Sequence, residues 1–269
     1  MIFYSQFPTK GIEINKFGNR GNVRPDPSRK IIACLGCSHT YGLVEEEHTW
    51  PCQLESMLGE KYQSLNMGRI NYGLKLNLMW YDVFMGKSPS VCVLQVPQFF
   101  RQPFPGLQSN HPIHFTYNNG ARLCMQEVGR KKFEKQSEEM MKRELKRFDV
   151  FHSKLKQDNV RLIVLMYEAT SYALLLKLNC EYLKRLQSKC DSLGISHLSG
   201  KEFTLDNFLE RDYLHDLSHP NMEGNKFIAQ RIHDIIDPWS NRRIEKEVPN
   251  WRPTKSPPNP SVQKYYPCY

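Results

Sequence analysis

Lys30-Ile31-Ile32-Ala33-Cys34-Leu35, followed by Gly36-Cys37-Ser38-His39-Thr40-Tyr41-Gly42, is the stretch on which the reading of this chain turns. The first six residues are a short apolar run that stops at a glycine, the pattern of a strand buried on both faces. The next seven place a serine on a glycine-flanked turn directly after that strand. Far along the chain, Asp216-Leu217-Ser218-His219-Pro220-Asn221 places a carboxylate and an imidazole three residues apart, just before a helical pattern. A serine hydroxyl is a weak nucleophile until a base takes its proton. His219 is the candidate base. Asp216 is the candidate orienter, able to accept the other ring N–H and to stabilise the imidazolium formed during attack. A serine just past a strand also reaches the N-terminus of a following helix, where backbone N–H groups point at an oxyanion.

The rest of the chain alternates strand and helix patterns. Glu45, Glu46 and Glu47 mark an acidic loop. Thr49 is placed to cap a helix with Pro51 in its first turn and Gly59 as its stop. Residues 63–66 read as a second strand, 71–85 as a helix and 90–95 as a third strand. Residues 99–125, rich in Phe, Pro, His and Asn, form a connection longer than compact domains usually carry, as in lids and binding loops. Within it, His111 and His114 read as plain loop residues. In 130–158, Phe133, Met141, Leu145, Phe148 and Leu155 recur at helical spacing, a core-facing stripe. A fourth strand is expected at 160–166, a helix at 171–193, a fifth strand at 195–198 and a last helix at 221–236. Five strands alternating with helices imply a parallel sheet covered on both sides, a doubly wound three-layer α/β/α sandwich. In such sheets the working residues gather at the C-terminal ends of the strands. Ser38, Gln98 and the Asp216–His219 segment all fall there.

The domain expectation is an irregular basic lead-in over 1–29, one domain over 30–237, and a Pro-rich basic tail over 238–269. With 269 residues, 40% of them hydrophobic and 24% charged, the chain can bury a full core, which argues against global disorder. The net charge of +9 belongs to the ends. Residues 1–30 and 238–269 each hold six Lys/Arg against two Asp/Glu, whereas 31–237 hold 25 against 24. Basic ends can touch nucleic acid, but no dense Lys/Arg cluster with interleaved aromatics supports that partner, and solvated tails are the reading favoured. No apolar run approaches the roughly 20 residues that cross a bilayer. The N-terminus lacks a charged start followed by an apolar stretch, so the expected compartment is the cytosol, with no membrane partner. The eight cysteines form no spaced framework, and several lie within apolar patterns (Cys34, Cys92, Cys180), so free thiols are expected. Cys34 and Cys37 have the spacing of a redox pair, but Cys34 falls inside the strand and no second ligand pair suggests a metal.

The two blocks resemble those of the SGNH (GDSL-type) hydrolases, serine esterases and lipases on a flavodoxin-like fold with a five-stranded parallel sheet. Gly36 to Gly42 is similar to the family's first block, Gly-Asp-Ser-x-Thr-x-Gly. The similarity runs on through Thr49-Trp50-Pro51 and Leu54-Glu55. Asp216 to Asn221 with Gly224 is similar to its last block. The resemblance implies Ser38 as nucleophile, His219 as base and Asp216 as orienter of an ester hydrolase that works through an acyl-enzyme and needs no cofactor or metal. It implies a small-molecule or glycan ester as substrate, such as one with an O-acetyl or short acyl group. For the oxyanion it implies the backbone N–H of Ser38, the backbone N–H of Asn71 where the family has glycine, and the side-chain amide of Gln98 where the family has asparagine. His39, Gly68, Phe99 and Arg101 are the pocket candidates. Cys37 replaces the family's Asp beside the nucleophile. The changed oxyanion donors leave an alternative: a weakly active or inactive binding protein on the same fold.

Overall fold

Each central strand sends alternate residues to opposite faces, and in this chain both faces are apolar. The computed structural model describes residues 14–21, 24–70, 72–85, 89–96, 130–167, 173–215 and 219–238. Strands β1 (Lys30–Leu35), β2 (Tyr62–Asn66), β3 (Pro89–Gln95), β4 (Arg161–Leu165) and β5 (Ser196–Leu198) form one parallel sheet in the order β2-β1-β3-β4-β5. The described helices are α1 (Ser38–Tyr41), α2 (Trp50–Leu58), α3 (Leu74–Phe84), α4 (Arg130–Gln157), α5 (Ala173–Leu193), α6 (Leu205–Glu210) and α7 (Met222–Ile236).

The alternation builds two cores. Ile31, Ala33 and Leu35 of β1, with Cys92 and Leu94 of β3, pack under Leu74 and Tyr81 of α3, Phe148 and Phe151 of α4 and Leu186 of α5. On the other face, Ile32, Cys34, Val91, Val93 and Ile163 pack under Trp50 and Leu54 of α2, Phe208 of α6 and Ile228 and Ile232 of α7. The expected α/β/α sandwich is therefore the architecture, with α3, α4 and α5 on one side and α2, α6 and α7 on the other. In α4 the stripe is as expected: Met141, Phe148 and Leu155 are buried, and Leu145 packs against the core. The side chain of Phe133 lies outside what is described.

One local expectation needs correction. Thr49 occupies the N-cap position of α2, but its hydroxyl donates back to the carbonyl of Glu46, 2.8 Å away, because a short 3-10 turn at Glu46–His48 brings that carbonyl close. The buried amide of Trp50, at the helix start, is met instead by Asn225 Oδ1 of α7, at 3.1 Å. One helix thus caps another, which ties α2 to the element that follows His219. The segment Leu205–Glu210, to which the sequence reading assigned no element, forms α6, capped by the Thr204 side chain. The cysteines among the described residues are free. Burial pushes the Cys34 thiol up to about 12 and the Cys92 thiol well above its ordinary value.

The chain runs from β1 outward to β2 and then returns to β3 on the other side of β1. The strand order reverses between β1 and β3, which opens a crevice at their C-terminal ends. Ser38 follows β1 directly, and Gln95 closes β3.

Candidate active site

β1 ends at Leu35, and the chain turns at once into α1, whose first residue is Ser38. The Cys37 carbonyl accepts from the amides of Thr40 (3.1 Å) and Tyr41 (2.9 Å), and the Ser38 carbonyl accepts from Gly42 (2.9 Å). One helical turn therefore holds the serine. Its backbone is pressed from two sides. A Cβ on Gly36 would come within 2.8 Å of Gln95 Oε1, and closer still to Thr40 Oγ1. A Cβ on Gly68 would come within 2.7 Å of the Thr40 carbonyl carbon, and closer still to the Tyr41 nitrogen. Both glycines are needed for close backbone approach. Gly68 also donates its amide to Asn66 Oδ1 at 3.2 Å, and Arg69 donates its amide to the Gly36 carbonyl at 3.1 Å. The segment after β2 is thereby fastened to the serine turn.

His219 comes from the other end of the chain. Tyr213, Leu214 and His215 pair with the segment entering α7. His215 N–H donates to the His219 carbonyl (2.8 Å), Asn221 N–H donates to the Tyr213 carbonyl (2.9 Å), and Leu214 and Pro220 form an antiparallel bridge. Asn221 then caps α7 by accepting from Gly224 N–H at 3.0 Å. This clasp presents the imidazole to the serine. His219 Nε2 lies 2.9 Å from Ser38 Oγ, across 181 residues of sequence. Ser38 is 4% exposed and His39 2%.

His39, the residue after the serine, stacks on His219 with ring centroids 4.8 Å apart and planes 18° from parallel. It also meets the Tyr167 ring in a T-shaped contact, at 5.3 Å and 66°, and Cys37 Sγ, 3.0 Å from Nδ1. Cys37 in turn donates both its backbone N–H and its S–H to Gln95 Oε1, each at 3.1 Å. Gln95 Nε2 donates to the Val96 carbonyl at 2.7 Å, which fixes the orientation of the amide. Behind α1, fully buried Arg20 donates to the carbonyls of Tyr41, Gly42 (2.8 Å) and Val44 (2.7 Å) and lies over the Tyr41 ring. Burial lowers the pKa of Arg20 and brings that of Arg69 down to about 10. Arg69 lies over the Trp80 ring and donates to the Gly18 carbonyl.

Of the residues singled out from sequence, Ser38, His219, His39 and Gly68 gather here, with Gly68 wedged against α1. Asp216, Asn71, Gln98, Phe99 and Arg101 lie outside the described residues. Gln95, Tyr167 and Arg20 escaped the sequence reading. Gln95 carried a signal, since it is a polar residue ending an otherwise apolar buried strand. Arg20 carried none beyond its basic charge.

Several solved structures share this arrangement of elements. One is a putative lipolytic protein of the G-D-S-L family from Desulfitobacterium hafniense, 15% identical, with a TM-score of 0.51 over 77% of this chain and 99% of that one. A lipase/acylhydrolase from Enterococcus faecalis is 11% identical, with a TM-score of 0.51 over 78% of this chain and 96% of its own. The psychrotrophic esterase EstA from Pseudoalteromonas is 12% identical, with a TM-score of 0.50 over 79% of this chain and 99% of its own. The chain has the SGNH-hydrolase fold. No sequence-family model and no curated protein matches it. On the SGNH fold, the switch point between β1 and β3 is where Ser38 and His219 meet. No described helix is long and apolar enough to cross a membrane.

Proposed function

We propose that this chain is a serine ester hydrolase acting through an acyl-enzyme on Ser38. The observation that carries the reading is the 2.9 Å contact between Ser38 Oγ and His219 Nε2, built from two segments that nothing else in the sequence connects. In the proposed reaction His219 Nε2 takes the Ser38 proton as Oγ bonds to the ester carbon. The oxyanion that forms is met by the N–H groups of Ser38 and Asn71 and by the Gln98 amide. His219 then returns the proton to the alcohol oxygen, the C–O bond breaks, and the acyl group stays on Ser38. Water gives a proton to the same nitrogen and attacks the acyl carbon. Ser38 leaves with that proton, and a carboxylic acid is released. Asp216 accepts a hydrogen bond from Nδ1–H of His219, so that the proton stays on Nδ1 and Nε2 faces the serine unprotonated at the start. The resemblance of the last sequence block supports that role. The substrate class is a small-molecule or glycan ester with a short acyl group, and the chemistry consumes only water.

The test is turnover of p-nitrophenyl acetate by wild type beside Ser38→Ala and His219→Ala. The expected loss is on the order of 10³-fold or more for each. A wild type no faster than both variants would overturn the reading.

A further inference from the structure

A histidine ring turns about a broad, soft terminal torsion, so a hydrogen bond to one of its nitrogens does not by itself fix the ring plane. The Ser38–His219 bond needs that plane, because hydrogen bonds weaken steeply as they bend. We propose that His39 is a positioning residue that sets it. This rests on the reading of His219 as the base for Ser38. The rings of His39 and His219 lie 4.8 Å apart and 18° from parallel, so rotation of His219 would have to break the stack.

His39 can serve this way because it is itself held by a directed chain of donors. Gln95 Oε1 can only accept, and the bond from Nε2 to the Val96 carbonyl keeps that oxygen turned toward Cys37. The Cys37 S–H is therefore spent on Gln95. Its sulfur is left to accept, and at 3.0 Å the group able to donate is His39 Nδ1–H. His39 is thus assigned a proton on Nδ1, and the Tyr167 ring meets the His39 ring in a T-shaped contact at 5.3 Å. The strand β3 reaches the base through four linked groups: Gln95, Cys37, His39 and His219. The Cys37 that replaces an acidic residue beside the serine, and the histidine that follows it, then belong to one device.

Three variants separate the parts. His39→Asn keeps an N–H for Cys37 but has no ring. His39→Phe keeps a ring but no N–H. His39→Ala keeps neither. With a misplaced base costing on the order of 100-fold, His39→Ala and His39→Asn are expected to lose about 10- to 100-fold in kcat on p-nitrophenyl acetate with KM nearly unchanged. His39→Phe is expected to recover most of that loss. Long-range 15N–1H spectra of the histidine rings give a readout that needs no turnover. In wild type, His39 should carry its proton on Nδ1, and His219 should give one sharp ring spectrum that persists in His39→Phe and broadens or shifts in His39→Ala. Wild-type kcat in His39→Ala, or His39→Phe no better than His39→Ala in both rate and spectrum, overturns the proposal and leaves the Ser38–His219 reading standing. If wild type shows no turnover, that reading fails, and the spectra alone decide whether His39 orders the His219 ring.

Discussion

Replacing Gly68 by alanine adds a single methyl group where the loop after β2 presses on the backbone of the serine helix. The new Cβ would lie 2.7 Å from the Thr40 carbonyl carbon and 2.8 Å from Tyr41 Cα, where ordinary contact begins at 3.4 Å. The obstructing atoms are backbone, so no side chain can swing aside. The loop and α1 must separate by roughly 0.7 Å or more to restore contact distance. The Gly68 amide bond to Asn66 Oδ1 and the Arg69 amide bond to the Gly36 carbonyl resist that movement. Overpacking of this kind costs about 1–3 kcal/mol. For a domain of this size that corresponds to a fall in Tm of roughly 2–12 °C. Because the moving part carries Ser38, the rate of acylation should fall on the order of 100-fold, more than the stability loss alone would suggest. Thermal melts followed by circular dichroism and the p-nitrophenyl acetate rate read the two effects separately. A Gly68→Ala protein with the wild-type Tm and rate would refute the close-approach argument.

Arg20→Met removes the donors to three carbonyls beside the serine turn, at Tyr41, Gly42 and Val44. The Tyr41 carbonyl keeps its bond from Asn66 Nδ2 at 3.2 Å, while a carbonyl left unsatisfied costs about 1–3 kcal/mol, offset in part by relief of a buried cation, so the melt should fall clearly, and Arg20→Lys, with one ammonium for three targets, should fall between. Asn225→Ala strips the cap from Trp50 N–H and the amide bonds to the Pro220 and Asn221 carbonyls, and is expected to destabilise by about 1–3 kcal/mol in denaturant melts. Alkaline pH should weaken the fold through its buried thiols. With the folded pKa of Cys34 pushed up to about 12 from an ordinary 9.0, the unfolded chain releases that proton first, so the Cys34 contribution is intact below pH 9 and is lost as pH rises toward 12. Each such thiol adds a slope of about 1.4 kcal/mol per pH unit in that window. Stability measured against pH should therefore be flatter above pH 9 in Cys34→Ala than in wild type.

The parts of this molecule legible from sequence are those with short-range causes. β1 announces itself because both of its faces are apolar, and Ser38 because the strand stops at a glycine two residues before it. His219 was legible because Pro220, Asn221 and Gly224 mark the start of α7. What stayed hidden depends on which elements become neighbours. Thr49 had the right identity for a cap, yet a 3-10 turn offered its hydroxyl a nearer carbonyl, and the cap came from Asn225, 175 residues away from Trp50. Gln95 and Tyr167 join the site only because β3 lies next to β1 and β4 next to β3. Arg20 sits in a stretch read as an irregular lead-in. Its burial against α1 follows from its amide pairing with the Asn66 carbonyl at the end of β2, which no local pattern encodes.

The measurement that tests the central claim most directly is covalent labelling with a fluorophosphonate, followed by peptide mapping of the adduct. A serine reacts only where its hydroxyl is activated, and Ser38 beside His219 Nε2 is the group expected to be. The account predicts one phosphonyl adduct on Ser38, formed by wild type, much slowed in His219→Ala and absent in Ser38→Ala. An unlabelled wild type would contradict it. So would an adduct on another serine, such as Ser199, whose hydroxyl lies 3.0 Å from His197 Nδ1 at the far edge of the sheet.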